Sequence, residues 1–411
     1  MKEGKTRKKI QRIRKIIGFI NVLLLSFLLL LFWHIMDMDV YLEMAESSID
    51  SIFQERDANR IVALCKGQPL YTCYKDRLVE IVQKYNFSYA TQVLAAVQMS
   101  DPETQPCHVL AHYMARAAVN KDPENWVGLL DKVDISDCGG GFLHGTFEGR
   151  MGYDPSFAIN TESANSICGR YRHNVEKSMS CFHWYGHVFM LETSGVLEAA
   201  LPQCEGILPR ERVFNCYDGA FMEFIYQPML LEHGISKSLQ VTEEYISSRL
   251  IPTCLKYADT EKGVACWTEM GEPHMNISGN DPASVREGCN KAPTVKERKA
   301  CYNKAETVIA LRPEFTTAEK LVSVCESFRG DSDFEGYRDC LRHMIGGFAH
   351  YSLNYAERAL LLCAHTRAEM QSFCYTSIGN SYSSVGRSLN DREKICDRVT
   401  DDFKNLCIKY R

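Results

Sequence analysis

Three short segments place imidazole or carboxylate groups four residues apart, each close behind a cysteine. They are Cys107-His108-x-x-x-His112, Cys138-Gly139-Gly140-Gly141-Phe142-Leu143-His144-Gly145-x-x-Glu148 and Cys181-x-His183-x-x-Gly186-His187. On a helix, positions i and i+4 share one face, so each segment aims two ligand-type side chains in one direction. Six of the twelve histidines lie in the 80 residues from His108 to His187, and all but His173 fall in these segments. Imidazole with carboxylate suits Zn, Fe, Cu, Ni or Mn. A catalytic zinc takes three such ligands and keeps one position open. The candidate metal set is therefore His108, His112, His144, Glu148, His183 and His187. For a hydrolytic site, Glu148 is the candidate general base, acting on a metal-bound water; its other role is as a ligand. Gly145 and Gly186, beside these positions, leave room for a metal or substrate to approach the backbone. Glu223, on the unit after Cys216, is a candidate contributor. His343 and His350 are seven apart and share a face too, but they stand alone and read as structural.

The elements that must carry these side chains are written in cysteine. Eighteen cysteines lie beyond residue 60, and fourteen of them form pairs 11 to 15 residues apart. First members of successive pairs recur every 33 to 38 residues, with one 50-residue step after Cys204. A period of this size marks a helical repeat protein. In each unit a helical stretch ends at the first cysteine, a short polar connection follows, and the second cysteine opens another helix. Cys363 and Cys374 bracket one such reversal. Two cysteines 12 apart on one straight helix would stand about 18 Å apart, whereas a disulfide needs Cα atoms within about 7 Å. The chain must reverse between them, and a bridge there staples a helical hairpin.

Nearest-neighbour pairing is the scheme that respects the repeat. It gives Cys65–Cys73, Cys107–Cys138, Cys168–Cys181, Cys204–Cys216, Cys254–Cys266, Cys289–Cys301, Cys325–Cys340, Cys363–Cys374 and Cys396–Cys407. Sustained two-residue alternation is missing, so strands are not expected. The expected fold is all-α: disulfide-stapled helical-hairpin repeats forming an α-solenoid behind one transmembrane helix. The period suits tetratricopeptide- or Sel1-like hairpins in architecture alone, because the diagnostic residues of both are missing.

The N-terminus points to a membrane. Residues 2–15 hold eight Lys or Arg against one acid, Glu3, and 16–36 form a 21-residue run without a formal charge. At about 1.5 Å per residue, such a run spans a hydrocarbon core of about 30 Å. It ends without an Ala-x-Ala cleavage pattern, which reads as an uncleaved signal anchor. The expected order is a basic cytoplasmic tail (1–15), an anchor in the bilayer (16–36), a membrane-proximal helix or stalk (37–60) and a cysteine-rich ectodomain (61–411). Positive charge stays inside, so the ectodomain lies in a periplasm, an extracellular space or a secretory lumen. Regular cysteines in an oxidising compartment read as a disulfide framework. The lack of any C-x-x-C argues against zinc knuckles, c-type haem and thioredoxin-like chemistry.

Removing the eight bases and one acid of the tail from the chain's 47 and 52 leaves 39 basic and 51 acidic residues. That acidic balance disfavours nucleic acid as a partner. No G-x-S-x-G, H-E-x-x-H or phosphate-binding glycine loop occurs. Two functions remain: a metal site, binding or hydrolytic, in the first repeats, or a non-catalytic scaffold whose concave face grips a peptide or protein.

Overall fold

The computed structural model describes residues 51–408 apart from 69, 102–103, 105–106, 133–136, 155, 227–240, 313, 330–333, 352–354 and 386–388. The basic tail, the apolar run 16–36 and most of the expected stalk lie outside the described residues. No helix among the described residues is long and apolar enough to cross a membrane.

Every regular element among the described residues is helical. The first helix, α1, covers 51–65. It is followed by α2 (Leu70–Lys84), α3 (Phe87–Ser100), α4 (His108–Lys121), α5 (Trp126–Lys132), α6 (Gly141–Tyr153), α7 (Thr161–Cys168), α8 (Val175–Glu192), α9 (Leu197–Cys204) and α10 (Val213–Tyr226). Next, α11 (Glu243–Tyr245) runs through a π turn (Ile246–Leu250) into α12 (Ile251–Lys256). The rest are α13 (Glu261–Glu269), α14 (Gly271–Ser278), α15 (Pro282–Cys289), α16 (Val295–Leu311), α17 (Ala318–Arg329), α18 (Phe334–Tyr351), α19 (Ala356–His365), α20 (Ala368–Ser384), α21 (Leu389–Cys396) and α22 (Asp401–Ile408).

The local chemistry of each reversal repeats. A helix closes on a buried cysteine, as α7 does on Cys168 and α15 on Cys289. A polar cap then starts the next helix: Asn174 accepts from the Lys177 amide before α8, and Thr260 from the Gly263 amide before α13. Before α16, Thr294 and Glu297 form a reciprocal capping box. Such caps satisfy amides that the helix itself leaves open. In α8, α13, α16, α18, α20 and α22 the second cysteine sits in the second turn, and its sulfur reaches back to the first. All nine expected bridges are present, with Cα separations of 5.1 to 5.6 Å, and no cysteine is free.

Helices opened by the second cysteines pack on one another in succession, from α8 to α10, α13, α16, α18, α20 and α22, with α2, α4 and α6 preceding α8. Aromatic residues next to those cysteines fill the space between neighbours: Phe182, Tyr185, Phe221, Trp267 and Phe348 are fully buried. Within the expected stalk, Ala58 already belongs to the core, as do Ile61 and Cys65 just after it, while Ile52 remains exposed. One contact jumps the order. Helix α18 reaches back to the 3₁₀ turn Asp137–Gly140, where a Cβ on Gly139 would sit 3.0 Å from the ring of Tyr351.

Candidate metal centre

Two helix pairs cross at backbone contact, and glycine makes that possible. On α6, a Cβ at Gly141 or Gly145 would overlap the carbonyl of His108 or His112 on α4. Gly149, a further turn along, faces Val119 and Arg116. On α8, a Cβ at Gly186 would overlap the Cys216 carbonyl of α10, and one at Gly219 would overlap the His183 carbonyl in return. The expectation that Gly145 and Gly186 admit a metal or substrate to the backbone is corrected here: they admit a neighbouring helix. Side chains carried on so close a crossing meet side by side.

The five histidines converge. His144 on α6 lies 5.2 and 5.3 Å, ring centre to ring centre, from His108 and His112 on α4. It lies 6.1 and 5.3 Å from His183 and His187 on α8. Ligand nitrogens of His108, His112 and His144 fall within 4.8 Å of one another, as do those of His144, His183 and His187. His144 thus belongs to two triads, both able to hold a metal ion.

Around the triads, the Nδ1 atoms are taken. His108 Nδ1 lies 3.0 Å from the Cys138 carbonyl, and His112 Nδ1 lies 2.8 Å from Glu148. On α8, His183 Nδ1 meets Asp218 at 3.1 Å and His187 Nδ1 meets Glu223 at 3.0 Å. A carbonyl or carboxylate oxygen accepts, so each Nδ1 carries the proton, and in a neutral ring Nε2 is left with a lone pair. These Nε2 atoms face each other in pairs: His108 and His112 at 3.0 Å, His183 and His187 at 3.1 Å. Two lone pairs at that distance repel unless a cation or a proton lies between them. Nitrogens on a tetrahedral ion with bonds of about 2.0–2.1 Å stand roughly 3.3 Å apart. The observed separations match within a few tenths of an ångström.

Burial, more than the surrounding imidazoles, holds His144 well below the usual histidine range, so it is neutral at pH 7. Burial also lowers His183, against the opposing pull of Asp218. For Asp218, burial acts upward, but its hydrogen bond with His183 and the Lys304 charge leave it below the ordinary value and ionised. Asp218 Oδ1 and Glu223 Oε1 are buried without a hydrogen bond.

Of the residues expected to act, the five histidines come together and Glu148 stands behind His112, oriented to its outer nitrogen. A carboxylate at that position fixes the tautomer and ring orientation of a ligand imidazole. Glu223 plays the same part for His187. His343 pairs with fully buried Glu306 at 3.1 Å, away from the triads.

Sequence reasoning passed over Asp218 and a second polar cluster on α13, α14 and α16. There, fully buried Glu269 accepts from Lys304 at 2.9 Å. Glu272 accepts from Tyr226 at 2.7 Å and from Arg312 at 3.2 Å. Burial pushes Glu269 up to about 8, with Asp218 adding to the rise and Lys304 opposing it. The signal was present in the offsets. His183 and Asp218 come two residues after a second cysteine, and Glu269, Lys304 and His343 come three after.

No protein-family model matches this chain, and comparison with curated proteins and with solved structures returns no match. Fold and site together define an all-helical, disulfide-bridged protein with buried histidine triads that could hold a metal ion.

Proposed function

We propose that this protein is a membrane-anchored, extracytoplasmic metal-binding protein, with its metal held by His108, His112, His144, His183 and His187. One observation carries the reading: the ligand nitrogens of His108, His112 and His144 lie within 4.8 Å of one another, and so do those of His144, His183 and His187. An all-imidazole set with carboxylates behind it favours Zn²⁺ or Cu²⁺ over hard, oxygen-seeking cations. Three protein ligands on a tetrahedral ion leave one position for water or a substrate, which is the opening that hydrolytic chemistry would use. Glu148, turned to Nδ1 of His112, would then tune a ligand in place of acting as a base.

The anchor is read from the charge-free run 16–36 behind a basic tail. An oxidising location is read from nine bridges with no free thiol. The succession of stapled hairpins is read as a curved α-helical repeat array.

The test is elemental analysis of purified full-length protein, loaded with zinc and dialysed. Retained zinc in the wild type, lost in His144→Ala with all nine bridges intact by non-reducing peptide mapping, is the expected result. Metal-free wild type would overturn the reading and leave the peptide-binding scaffold standing. Protease added to intact cells should digest the cysteine-rich body and spare the basic tail.

A further inference from the structure

We propose that the histidine core is a dinuclear centre: one cation between His108 and His112, a second between His183 and His187, with His144 shared as a bridging ligand. This rests on the metal-binding reading above and goes beyond it in number and connectivity.

The first argument is duplication. Helix α4 presents a histidine pair with Nε2 atoms 3.0 Å apart, and α8 presents a second at 3.1 Å. Each pair has both Nδ1 protons committed to oxygens: Cys138 O and Glu148 on one side, Asp218 and Glu223 on the other. The same arrangement of ligand nitrogens therefore occurs twice, and one cation can occupy only one of them. The second argument is the position of His144. It completes a triad with each pair, and both triads close to within 4.8 Å. An imidazole has two ring nitrogens on opposite edges, so a single ring can serve two ions.

The bonding step balances simply. The first ion takes the Nε2 pair and one nitrogen of His144. The second takes the other pair and the remaining nitrogen of His144, whose N–H proton leaves to solvent. No electron changes hands.

The experiment is copper titration of the full-length protein, followed by elemental analysis and electron paramagnetic resonance. Two Cu²⁺ per chain, with the signal weakened by magnetic coupling through the shared ring, is the expected result. His112→Ala and His187→Ala should each keep one ion, now with the full signal of an isolated Cu²⁺. One ion per wild-type chain would overturn the dinuclear centre while leaving the metal-binding reading intact. Two ions with uncoupled spectra would overturn the shared ligand. A wild type that binds none would overturn both readings. Non-reducing peptide mapping of each variant confirms that a loss of copper is a loss at the site, with the nine bridges in place.

Discussion

Helices α8 and α10 on one side, and α13 and α16 on the other, use the same frame for opposite chemistry. Both pairs are stapled by bridges over 12- or 13-residue separations, and α8, α13 and α16 start from a capped turn with the cysteine in the second turn. Two or three residues after that cysteine, α8 and α10 carry His183 and Asp218, whereas α13 and α16 carry Glu269 and Lys304. The first arrangement brings His183 and His187 Nε2 within 3.1 Å of each other. The second brings its own cation, since Lys304 reaches Glu269 at 2.9 Å. The frame sets position; the residues two or three places after the cysteine decide whether the site gathers imidazoles that could hold a metal or carries its own lysine.

Removing bridges should separate frame from site most strongly. Cys289→Ser with Cys301→Ser opens a short loop and should cost about 3 kcal/mol in denaturant unfolding, with metal content unchanged. Cys107→Ser with Cys138→Ser opens a longer loop, should cost about 4 kcal/mol, and should also lower metal content, because Cys138 positions His108. Equal metal loss in both double variants would erase the distinction between the two regions.

Metal itself should stabilise next most. Zinc at 100 times its dissociation constant adds about 2.7 kcal/mol per site to a chain that binds only when folded. Calorimetry should show that rise in wild type and in Glu269→Gln, and should show none in His144→Ala.

A smaller effect tests the helix crossing. Gly219→Ala places a methyl group against the His183 carbonyl, an overpacking expected to cost about 1–3 kcal/mol. The same variant should weaken zinc binding, read by competition with a chelator, because α8 and α10 must move apart. Gly271→Ala, where a Cβ would come 2.8 Å from the Cys301 carbonyl, should destabilise without touching zinc.

Acid and base should act with opposite sign on two buried groups of α13 and α14. Burial lowers His274 from 6.5 to about 4, so below pH 6.5 the unfolded chain takes a proton that the folded one refuses. Stability falls as pH drops from about 6.5 to about 4. Glu269 is raised from 4.5 to about 8, so its contribution is full below pH 4.5 and is lost as pH rises through 8. Denaturant midpoints across this range should show Glu269→Gln flattening the alkaline decline alone, and His274→Gln the acidic decline alone.

Much of this was legible because cysteine spacing is a geometric constraint. Residues 12 apart cannot bridge without a reversal, so Cys204 and Cys216 announce a hairpin before any helix is seen. The histidines were legible because an i, i+4 pair of a scarce residue stands out. Asp218, Glu269 and Lys304 did not, since acids and lysines are the ordinary covering of a helix and only tertiary packing buries these three. The roles of Gly186 and Gly219 were hidden for the same reason: a glycine's contact is with a backbone two helices away in sequence. The contact between Tyr351 and Gly139 joins residues more than two hundred positions apart, and no local pattern foretells it.

The turn at Cys138 carries one more consequence. Cys138, Gly139 and Gly140 follow one another in left-handed conformation, at φ of 58°, 57° and 84°, and the Cys138 carbonyl receives the His108 proton. The bridge that pins this turn joins it to Cys107, the residue immediately before His108. A freshly made chain with reduced thiols has no fixed acceptor for that proton and no set tautomer at its first ligand. On the metal-binding reading proposed above, oxidation should precede metal loading, and a chain kept reduced should retain less zinc than the bridged one.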